Sequence, residues 1–367
     1  MKFACRKKEL VDVLTQVSKA VAVKPMTPVL HGIYLKVFSD VLELQANNYQ
    51  LGMAGQITVN AYDDGGETVV IGKKFLEIVK VMPDDVILIA LNDKDNCLDI
   101  SSGRSNYSIA IMNAEDFPKV TQDDTETRFE INAPALKSAI KRTVFACSND
   151  VDRHPLYTGC LFDIGDEKIT IAATNMHRLA VVKDVFLNAP TAAKFIVPAT
   201  ALNVIACMLT DEDEPIGIVY SGKSVSFTLD GIFIKARLIE GDFPDYNRVI
   251  PAESKITVDF MTDELRHAIE RISVISSSAQ DKKIYFKIAS GGVEILAYSA
   301  EFGEGKEFLH ADVDGGDLEI CFNSKYITDV LKDFKSDNFQ IALKGEFDPA
   351  LVRDDDNYIY VVTPVRA

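Results

Sequence analysis

The sequence predicts an α+β protein in which one unit, two helices packed on antiparallel sheet, occurs three times. The first observation is a repeat: residues 197–202 parallel residues 71–76, and the Asp-Phe-Pro of residues 242–244 repeats that of residues 116–118. Both pairs lie 126 positions apart. Because constant spacing is typical of a chain built from copies of one structural unit, we predict three such units in 367 residues.

The second observation is that the three copies open alike, each with a short strand followed by a helix. Phe3, Phe129 and Ile256 begin these openings, and apolar residues at helical spacing follow each of them. Segments in which apolar and polar residues alternate, such as residues 33–37 and 284–288, predict the strands. The predicted helices are residues 6–20, 73–82, 134–147, 198–210, 262–275 and 323–335. The predicted domains are residues 1–122, 127–252 and 254–367.

The composition excludes several classes of protein. Hydrophobic residues make up 47% of the chain, yet no run approaches the roughly 18 apolar residues of a membrane span. The first eight residues are largely polar and lack the apolar core of a signal peptide, so we expect a cytoplasmic protein without a membrane partner. Six scattered cysteines without a CxxC pair predict buried free thiols and no metal site.

The net charge of −16 argues against nucleic acid, because phosphate binding depends on Lys and Arg. The charges are unevenly distributed, however. The six predicted helices carry fifteen Lys and Arg against eight Asp and Glu, whereas the rest of the chain is strongly acidic. The helices can therefore form a basic face on an acidic protein. The alternative is that these cations only occupy solvated helix faces, and the sequence leaves both interpretations open.

One segment matches a phosphate-binding loop. Residues 217–224 read G-x-x-x-x-G-K-S and include Lys223. The mechanism of that loop requires a helix directly after the lysine. In residues 225–229, apolar and polar residues alternate as they do in a strand. We therefore predict that residues 221–224 form a hairpin turn.

Three acidic clusters and one histidine complete the search for chemistry. The clusters, at Asp93 and Asp95, at residues 211–214 and at residues 354–356, are predicted to be solvated turns. His177 has no catalytic partner that the sequence can identify. We therefore expect no catalytic residue, no metal and no cofactor. The alternative from a different class is a phosphate-processing enzyme that uses Lys223 or the acidic clusters.

Five segments resemble the bacterial beta clamp family, in order and over the whole chain. They are residues 102–118, 173–180, 240–251, 322–331 and 360–366. The resemblance implies the DNA clamp fold: three domains per chain and a head-to-tail homodimer that closes into a ring, with helices lining the hole. It also implies a non-catalytic processivity subunit of DNA polymerase III that encircles double-stranded DNA without reading its sequence. The implied DNA-binding residues are Lys24, Lys73, Lys74, Lys137, Lys141, Arg142, Arg153 and Lys282.

The resemblance further implies a slot between the second and third repeats that takes short hydrophobic peptides. Its partners would be the clamp loader, the replicative polymerase alpha subunit and other proteins with a clamp-binding motif. The implied lining is Thr174, Met176, His177, Arg178, Leu179, Pro244, Arg248, Val249, Asn323, Tyr326, Phe347, Pro349, Val361, Val362, Pro364, Val365 and Arg366. The chain departs from the family at Asn175-Met176, where Asp-Gly is usual. If that glycine has a positive φ, Met176 is strained and reshapes the slot.

The resemblance also implies which residues form the joint of the ring, the interface between the two chains. Arg104, Tyr107 and Ile109 of one chain would face Val274, Ile275, Glu301 and Glu304 of the other. Apolar side chains with opposite charges on the two surfaces suit such a contact, although each cluster can equally belong to its own domain. A third alternative is a repeat protein that only scaffolds protein partners, which would not distinguish circular from linear DNA.

Overall fold

The structure is a computed structural model that describes residues 1–92, 94–123, 127–276, 282–355 and 357–366. Its helices are α1 (Lys7–Val17), α2 (Gly72–Val81), α3 (Ala133–Val144), α4 (Ala199–Met208), α5 (Thr262–Ser276) and α6 (Ser324–Lys332). All six predicted helices are confirmed, with ends that differ by up to three residues. Among the described residues, no helix combines the length and apolar character that a bilayer crossing requires.

The strands fill most of the remaining chain. The first thirteen are β1 (Lys2–Arg6), β2 (Gly32–Phe38), β3 (Val41–Asn47), β4 (Leu51–Thr58), β5 (Asn60–Ala61), β6 (Gly66–Ile71), β7 (Val86–Asn92), β8 (Cys97–Ser102), β9 (Ser105–Met112), β10 (Thr127–Asn132), β11 (Gly159–Gly165), β12 (Lys168–Thr174) and β13 (Arg178–Phe186). The others are β14 (Ala193–Pro198), β15 (Pro215–Tyr220), β16 (Ser224–Leu229), β17 (Ile232–Arg237), β18 (Ile256–Met261), β19 (Lys283–Ala289), β20 (Gly292–Ser299), β21 (Gly303–Leu309), β22 (Asp312–Asp314), β23 (Leu318–Asn323), β24 (Asn338–Leu343), β25 (Ala350–Asp354) and β26 (Tyr358–Val362).

The chain divides into two compact units. The first comprises Met1–Asn132 and Cys207–Leu238, and the second comprises Ala133–Ala206 and Ile239–Ala367. The predicted middle repeat is thus shared between them. The physical reason is strand pairing: β17 pairs with β4 of the first repeat, whereas β13 pairs with β26 of the third.

The first unit contains one long antiparallel sheet with α1 and α2 packed on it. Its order is β10-β15-β16-β17-β4-β3-β2-β6-β9-β8-β7-β1-β5. Helix α1 buries Leu10, Leu14 and Val17, the stripe that the helical spacing predicts. The helix lies close to β4, since a Cβ at Gly55 would be 2.7 Å from Val13 Cγ1. A larger residue than glycine at position 55 would therefore require neighbouring side chains such as Val13 to shift.

The second unit contains two sheets within the described residues. The larger has the order β14-β11-β12-β13-β26-β25-β24-β18-β22, and the smaller has the order β21-β20-β19-β23. Helix α5 buries Leu265, Ile269 and Ile272 and packs on β20, β21 and α6. The junction of β13 with β26 joins segments that are far apart in sequence, and it forms one wall of the site described below.

The six cysteines are free, and four of them are buried. The prediction of buried free thiols is correct for Cys5, Cys147, Cys160 and Cys321, whereas Cys207 is exposed and Cys97 is partly exposed. Burial raises the pKa of the Cys5 thiol to about 12, so this thiol stays protonated and packs as a small apolar side chain.

Candidate functional site

A groove of about 600 Å³ lies on the second unit, beside the ends of β12, β13 and β26. Apolar side chains and a few charged ones line it together. Its residues are Tyr157, Thr174, Met176, His177, Arg178, Leu179, Pro244, Asp245, Tyr246, Arg248, Val249, Ile250, Pro251, Ala252, Glu253, Lys344, Asp348, Pro349, Val361 and Thr363. A largely apolar cleft with a few polar groups is typical of a site that binds small molecules or peptide side chains.

The turn between β12 and β13 forms one side of the groove and is held by its own hydrogen bonds. The Thr174 hydroxyl accepts from Met176 N at 3.1 Å and donates to the Arg178 carbonyl at 2.7 Å. Asn175 Oδ1 accepts from the backbone N–H groups of His177 and Arg178, both at 3.0 Å. This pattern gives Met176 a φ of 73°. The strained backbone that the sequence predicts for Met176 is therefore present.

Below this turn, Arg178 is held in a buried network. One guanidinium nitrogen donates to Asp329 Oδ2 at 2.8 Å, and the other donates to the Phe145 carbonyl. The guanidinium also lies 4.6 Å from the ring centre of Tyr326, a distance that permits a cation–π contact. Burial raises the pKa of the Asp329 carboxyl, but hydrogen bonds from Lys325 and Arg178 outweigh it and leave the pKa below the ordinary value. Asp329 is therefore ionised at neutral pH.

The irregular segment before β18 forms another part of the groove lining. Asp245 caps a short helical turn, because its carboxylate accepts from Asn247 N at 3.2 Å and from Arg248 Nε at 3.1 Å. The turn leaves Val249 54% exposed, whereas Tyr246 packs against the core beneath the groove. Burial raises the pKa of Tyr246, so its phenol is neutral at neutral pH. This segment therefore offers both an exposed apolar contact and a fixed backbone.

The chain after β26 returns to the turn at His177. The Thr363 N–H donates to the His177 carbonyl at 2.9 Å, and the Thr363 hydroxyl donates to the same oxygen at 3.0 Å. The His177 ring stacks on Tyr326 with ring centres 6.5 Å apart. Residues from the predicted middle and third repeats therefore fix the groove together.

Ten of the seventeen predicted slot residues line this groove. They are Thr174, Met176, His177, Arg178, Leu179, Pro244, Arg248, Val249, Pro349 and Val361. The other seven are described but are not among the lining residues, namely Asn323, Tyr326, Phe347, Val362, Pro364, Val365 and Arg366. Val362 is completely buried in the sheet, and Asn323 caps α6 by accepting from Lys325 N. Tyr326 acts indirectly, since it supports Arg178 and His177.

The sequence prediction also missed lining residues. Tyr246, Ile250 and Pro251 belong to residues 240–251, the most specific segment of the resemblance, so carrying over that whole segment would have included them. Tyr157 precedes β11, and no motif in the sequence indicates it. Its place in the groove depends on tertiary packing against Phe243, with ring centres 6.2 Å apart.

The predicted DNA-binding residues divide between the two units. In the first unit, Lys24, Lys73 and Lys74 are exposed, and Lys74 pairs with Glu77 at 2.8 Å. In the second unit, Lys141 and Arg153 are exposed. Lys137 and Lys282 are partly exposed. These residues can all reach solvent, and a contact with DNA remains a prediction for each.

The structure contradicts the prediction that Arg142 binds DNA. Its side chain is 3% exposed, and its guanidinium donates to Asp354 at 2.6 Å and to Asp355 at 3.0 Å. The guanidinium also lies 4.1 Å from the ring centre of Tyr358. Because Arg142 is buried and paired, it is unavailable to phosphate. Arg142 is a structural residue of the second unit, and the prediction that it binds DNA is wrong.

The phosphate-loop match and the acidic clusters are the segments on which the alternative of a phosphate-processing enzyme depends. Ser221 and Ser224 close a hairpin between β15 and β16, so the phosphate-loop match is a turn, as predicted. Residues 211–214 and Asp95 are exposed outside helices and strands, also as predicted. Asp354 is different, because it is 2% exposed at the end of β25 and pairs with Arg142. Asp93 and Asp356 lie outside the described residues.

The residues predicted at the joint lie on two sheet edges, in the turns that lead into them, or on α5. Tyr107 and Ile109 are on β9, whose residues 105–110 pair only with β8 within the described chain. Glu304 is on β21, which pairs only with β20 in the same described part. Val274 is 68% exposed on α5, next to the second edge. Arg104 and Glu301 are exposed, and Ile275 is partly exposed.

The comparisons with known proteins cover the whole chain. Models of the DNA polymerase III beta subunit match its N-terminal domain at residues 1–121, its central domain at 130–245 and its C-terminal domain at 247–366. The beta sliding clamp of Vibrio cholerae is 30% identical over 369 residues, which cover 100% of both proteins. The crystal structure of the DNA polymerase sliding clamp from Bacillus subtilis has a TM-score of 0.92 at 26% identity, covering 100% of this chain and 99% of that one. The DNA polymerase III subunit beta from Pseudomonas aeruginosa has a TM-score of 0.90 at 29% identity, with 100% of each chain covered.

Proposed function

The chain belongs to the DNA polymerase III beta subunit family, whose members include the beta sliding clamps, and from this membership we propose that it encircles duplex DNA as a processivity factor. It acts as a head-to-tail homodimer that closes into a ring. It catalyses no reaction itself and works in the cytoplasm. Its task is to keep the replicative polymerase on DNA by binding both at once.

The observation that carries the ring is the pair of open sheet edges. Residues 105–110 of β9 and the whole of β21 lack a strand partner on one side, within the described residues. An unpaired edge is a template for another strand. In the homodimer, β9 of one protomer joins β21 of its partner, which pairs both edges. Arg104 and Glu304 place opposite charges on the two edges and favour this heterologous contact.

DNA is held by the closed ring rather than by tight contacts. A ring that surrounds the duplex needs only weak attraction to phosphate, so sliding stays fast and independent of sequence. Lys24, Lys73, Lys74, Lys141 and Arg153 are exposed cations suited to this role. The net charge of −16 leaves the rest of the surface acidic, which discourages DNA from binding outside the ring.

The partners are held by the groove on the second unit. It takes a short hydrophobic segment of the polymerase alpha subunit, of the clamp loader or of other proteins with such a motif. Leu179, Pro244 and Val361 supply apolar contacts in the groove, and Arg248 supplies a charged one. An unstructured peptide that fills an apolar cleft gains hydrophobic burial while its flanks remain free, which suits exchange between partners.

The test is retention on DNA. The protein is loaded by a clamp loader onto nicked circular DNA, half of the sample is linearised, and both halves are gel-filtered in moderate salt. We expect the protein to stay on circles and to leave linear molecules by sliding off the ends. Equal loss from both despite an active loader, or equal retention on both, contradicts the ring and favours a scaffold for protein partners.

A matched pair of variants sharpens this test. Ile109→Glu introduces a charge on the β9 edge, and Tyr62→Glu introduces one at a 61% exposed position elsewhere in the first unit. We expect Ile109→Glu to shift the protein to monomer in sedimentation velocity and to abolish retention on circles. The Tyr62→Glu control is expected to behave as the unmodified protein does.

The second class of function, a phosphate-processing enzyme, finds no support in the hairpin at Lys223. It remains testable with the same preparation. Nucleotide hydrolysis by the purified dimer that disappears in Lys223→Ala would favour the enzyme over the clamp.

A further inference from the structure

Met176 is unusual among the residues with a positive φ. In the described chain, ten residues other than glycine have a positive φ, and Met176 is the one aliphatic side chain among them. The remaining nine are polar, charged or, at Tyr49, aromatic. Met176 is also the one member of this group that lines the groove. Backbone strain that persists at a binding surface suggests that the side chain has a role there.

The turn would form without methionine. Its hydrogen bonds use the Thr174 hydroxyl, the Asn175 side chain and backbone groups, and none of them needs the side chain of residue 176. A glycine would adopt the same φ without strain. The side chain of Met176 is 49% exposed, so it is not retained by burial in a core. What it does is occupy space at the groove wall formed by the turn.

We propose that Met176 is a specificity-determining residue that narrows the groove and selects partner peptides by the size of the anchoring side chain. This inference rests on the proposed function of the groove as a peptide site. An anchor of leucine size fits beside the thioether chain and packs against Leu179 and Val361. A phenylalanine ring competes with Met176 for the same space, because the hydrogen bonds of the turn prevent the backbone from retreating.

The experiment compares two labelled peptides on full-length protein by fluorescence anisotropy. One is a nine-residue segment of the partner polymerase with leucine as its anchor, and its twin carries phenylalanine at that position. We expect the unmodified protein to prefer the leucine peptide by roughly tenfold or more, since a size mismatch of even one methylene group in an apolar pocket typically costs about that much. Met176→Gly is expected to remove most of this preference by strengthening the binding of the phenylalanine peptide.

Two further variants separate specificity from general damage. Met176→Leu keeps the bulk, so it is expected to keep the preference. Val249→Ala shortens a different side chain of the groove lining, which is 54% exposed, and is expected to weaken the binding of both peptides by a similar factor. This pattern distinguishes a selective wall from any change that merely loosens the site.

The outcomes are distinct. If both peptides bind and their ratio of Kd values is the same in the unmodified protein and in Met176→Gly, Met176 selects nothing and the inference is wrong, while the clamp function stands. If the unmodified protein binds neither peptide at millimolar concentration, the groove is not a peptide site, and the tethering function and this inference fall together.

Discussion

Arg178 and Asp329 form a buried ion pair between β13 and α6, with Arg178 Nη1 2.8 Å from Asp329 Oδ2 and both side chains 5% exposed. The pair connects a wall residue of the groove to a helix that lies 151 positions away in sequence. Lys325 and Lys332 also contact the carboxylate, at 2.8 and 3.3 Å. A single buried carboxylate thus contacts three cations, of which Arg178 lines the groove.

Asp329→Ala is expected to destabilise the protein by about 3–5 kcal/mol, because it leaves the Arg178 guanidinium buried without its counter-charge. Urea unfolding measures the change. The matched control is Asp163→Asn, which removes a more exposed pair with Lys194 at 3.3 Å in the same unit. Exposed pairs contribute about 0–1 kcal/mol, so a similar effect of the two substitutions would contradict the role given to Asp329.

Arg142 and Lys141 are neighbours on α3, but Arg142 is buried and Lys141 is exposed. Substitutions at the two positions therefore separate a contribution to stability from a contribution to DNA binding. We expect Lys141→Ala to weaken binding to duplex DNA and to reduce the slope of log K against log salt by about 1. Arg142→Ala is expected to leave that slope unchanged while lowering the free energy of unfolding by about 3–5 kcal/mol, since Asp354 loses its buried partner. Anisotropy of a labelled duplex over a salt series, with urea unfolding beside it, measures both.

A reversal would be informative. If Arg142→Ala lowers the salt slope and folds with normal stability, Arg142 contacts phosphate and is not a buried structural residue.

The lowered pKa of Asp123 predicts that the first unit loses stability in acid. Burial raises the pKa of its carboxyl, but Lys235 at 2.7 Å and Ser224 at 2.6 Å outweigh it and lower the pKa to about 2. Since the folded pKa lies below the unfolded value of about 3.9, the ionised carboxylate stabilises the fold above the unfolded pKa. This contribution is lost as the pH falls towards the folded pKa.

The difference in unfolding free energy between the unmodified protein and Asp123→Asn is therefore expected to be constant above about pH 5 and to shrink between about pH 4 and 2. Because Asp123 is 36% exposed, solvent screens the pair and the difference is modest. In a Lys235→Met background, we expect much of this pH dependence to disappear. A difference that is the same at pH 2 and pH 6 would show that Asp123 carries no such linkage.

Met176→Gly is expected to change overall stability by less than about 1 kcal/mol. Relief of the strain at a φ of 73° stabilises the variant by about 1 kcal/mol, and the greater freedom of glycine in the unfolded chain offsets it by about the same amount. Thermal or urea unfolding checks this. A loss of several kcal/mol would mean that the Met176 side chain packs as a core residue, in conflict with its exposure.

The sequence by itself determined the repeat, the six helices and the nature of the hairpin at Lys223. These depend on local rules: helical spacing of apolar residues marks the buried stripe of α1, and alternation after Gly222 excludes the helix that a phosphate loop needs. The resemblance in residues 173–180 and 240–251 identified two segments that line the groove, because each is continuous in sequence. It also identified residue 176, where methionine replaces the usual glycine, as a position that would be strained at a positive φ, and Met176 has a φ of 73°.

Only the tertiary structure decided which charged residues are buried. Lys141 and Arg142 are adjacent and look alike in sequence, yet one is exposed and the other pairs with Asp354, 212 positions away. Tyr157 enters the groove for a similar reason, through packing with Phe243. Burial of a polar side chain depends on whether a partner from a distant strand arrives beside it, since an unpaired charge would stay in water. Neither periodicity nor a local motif carries that information.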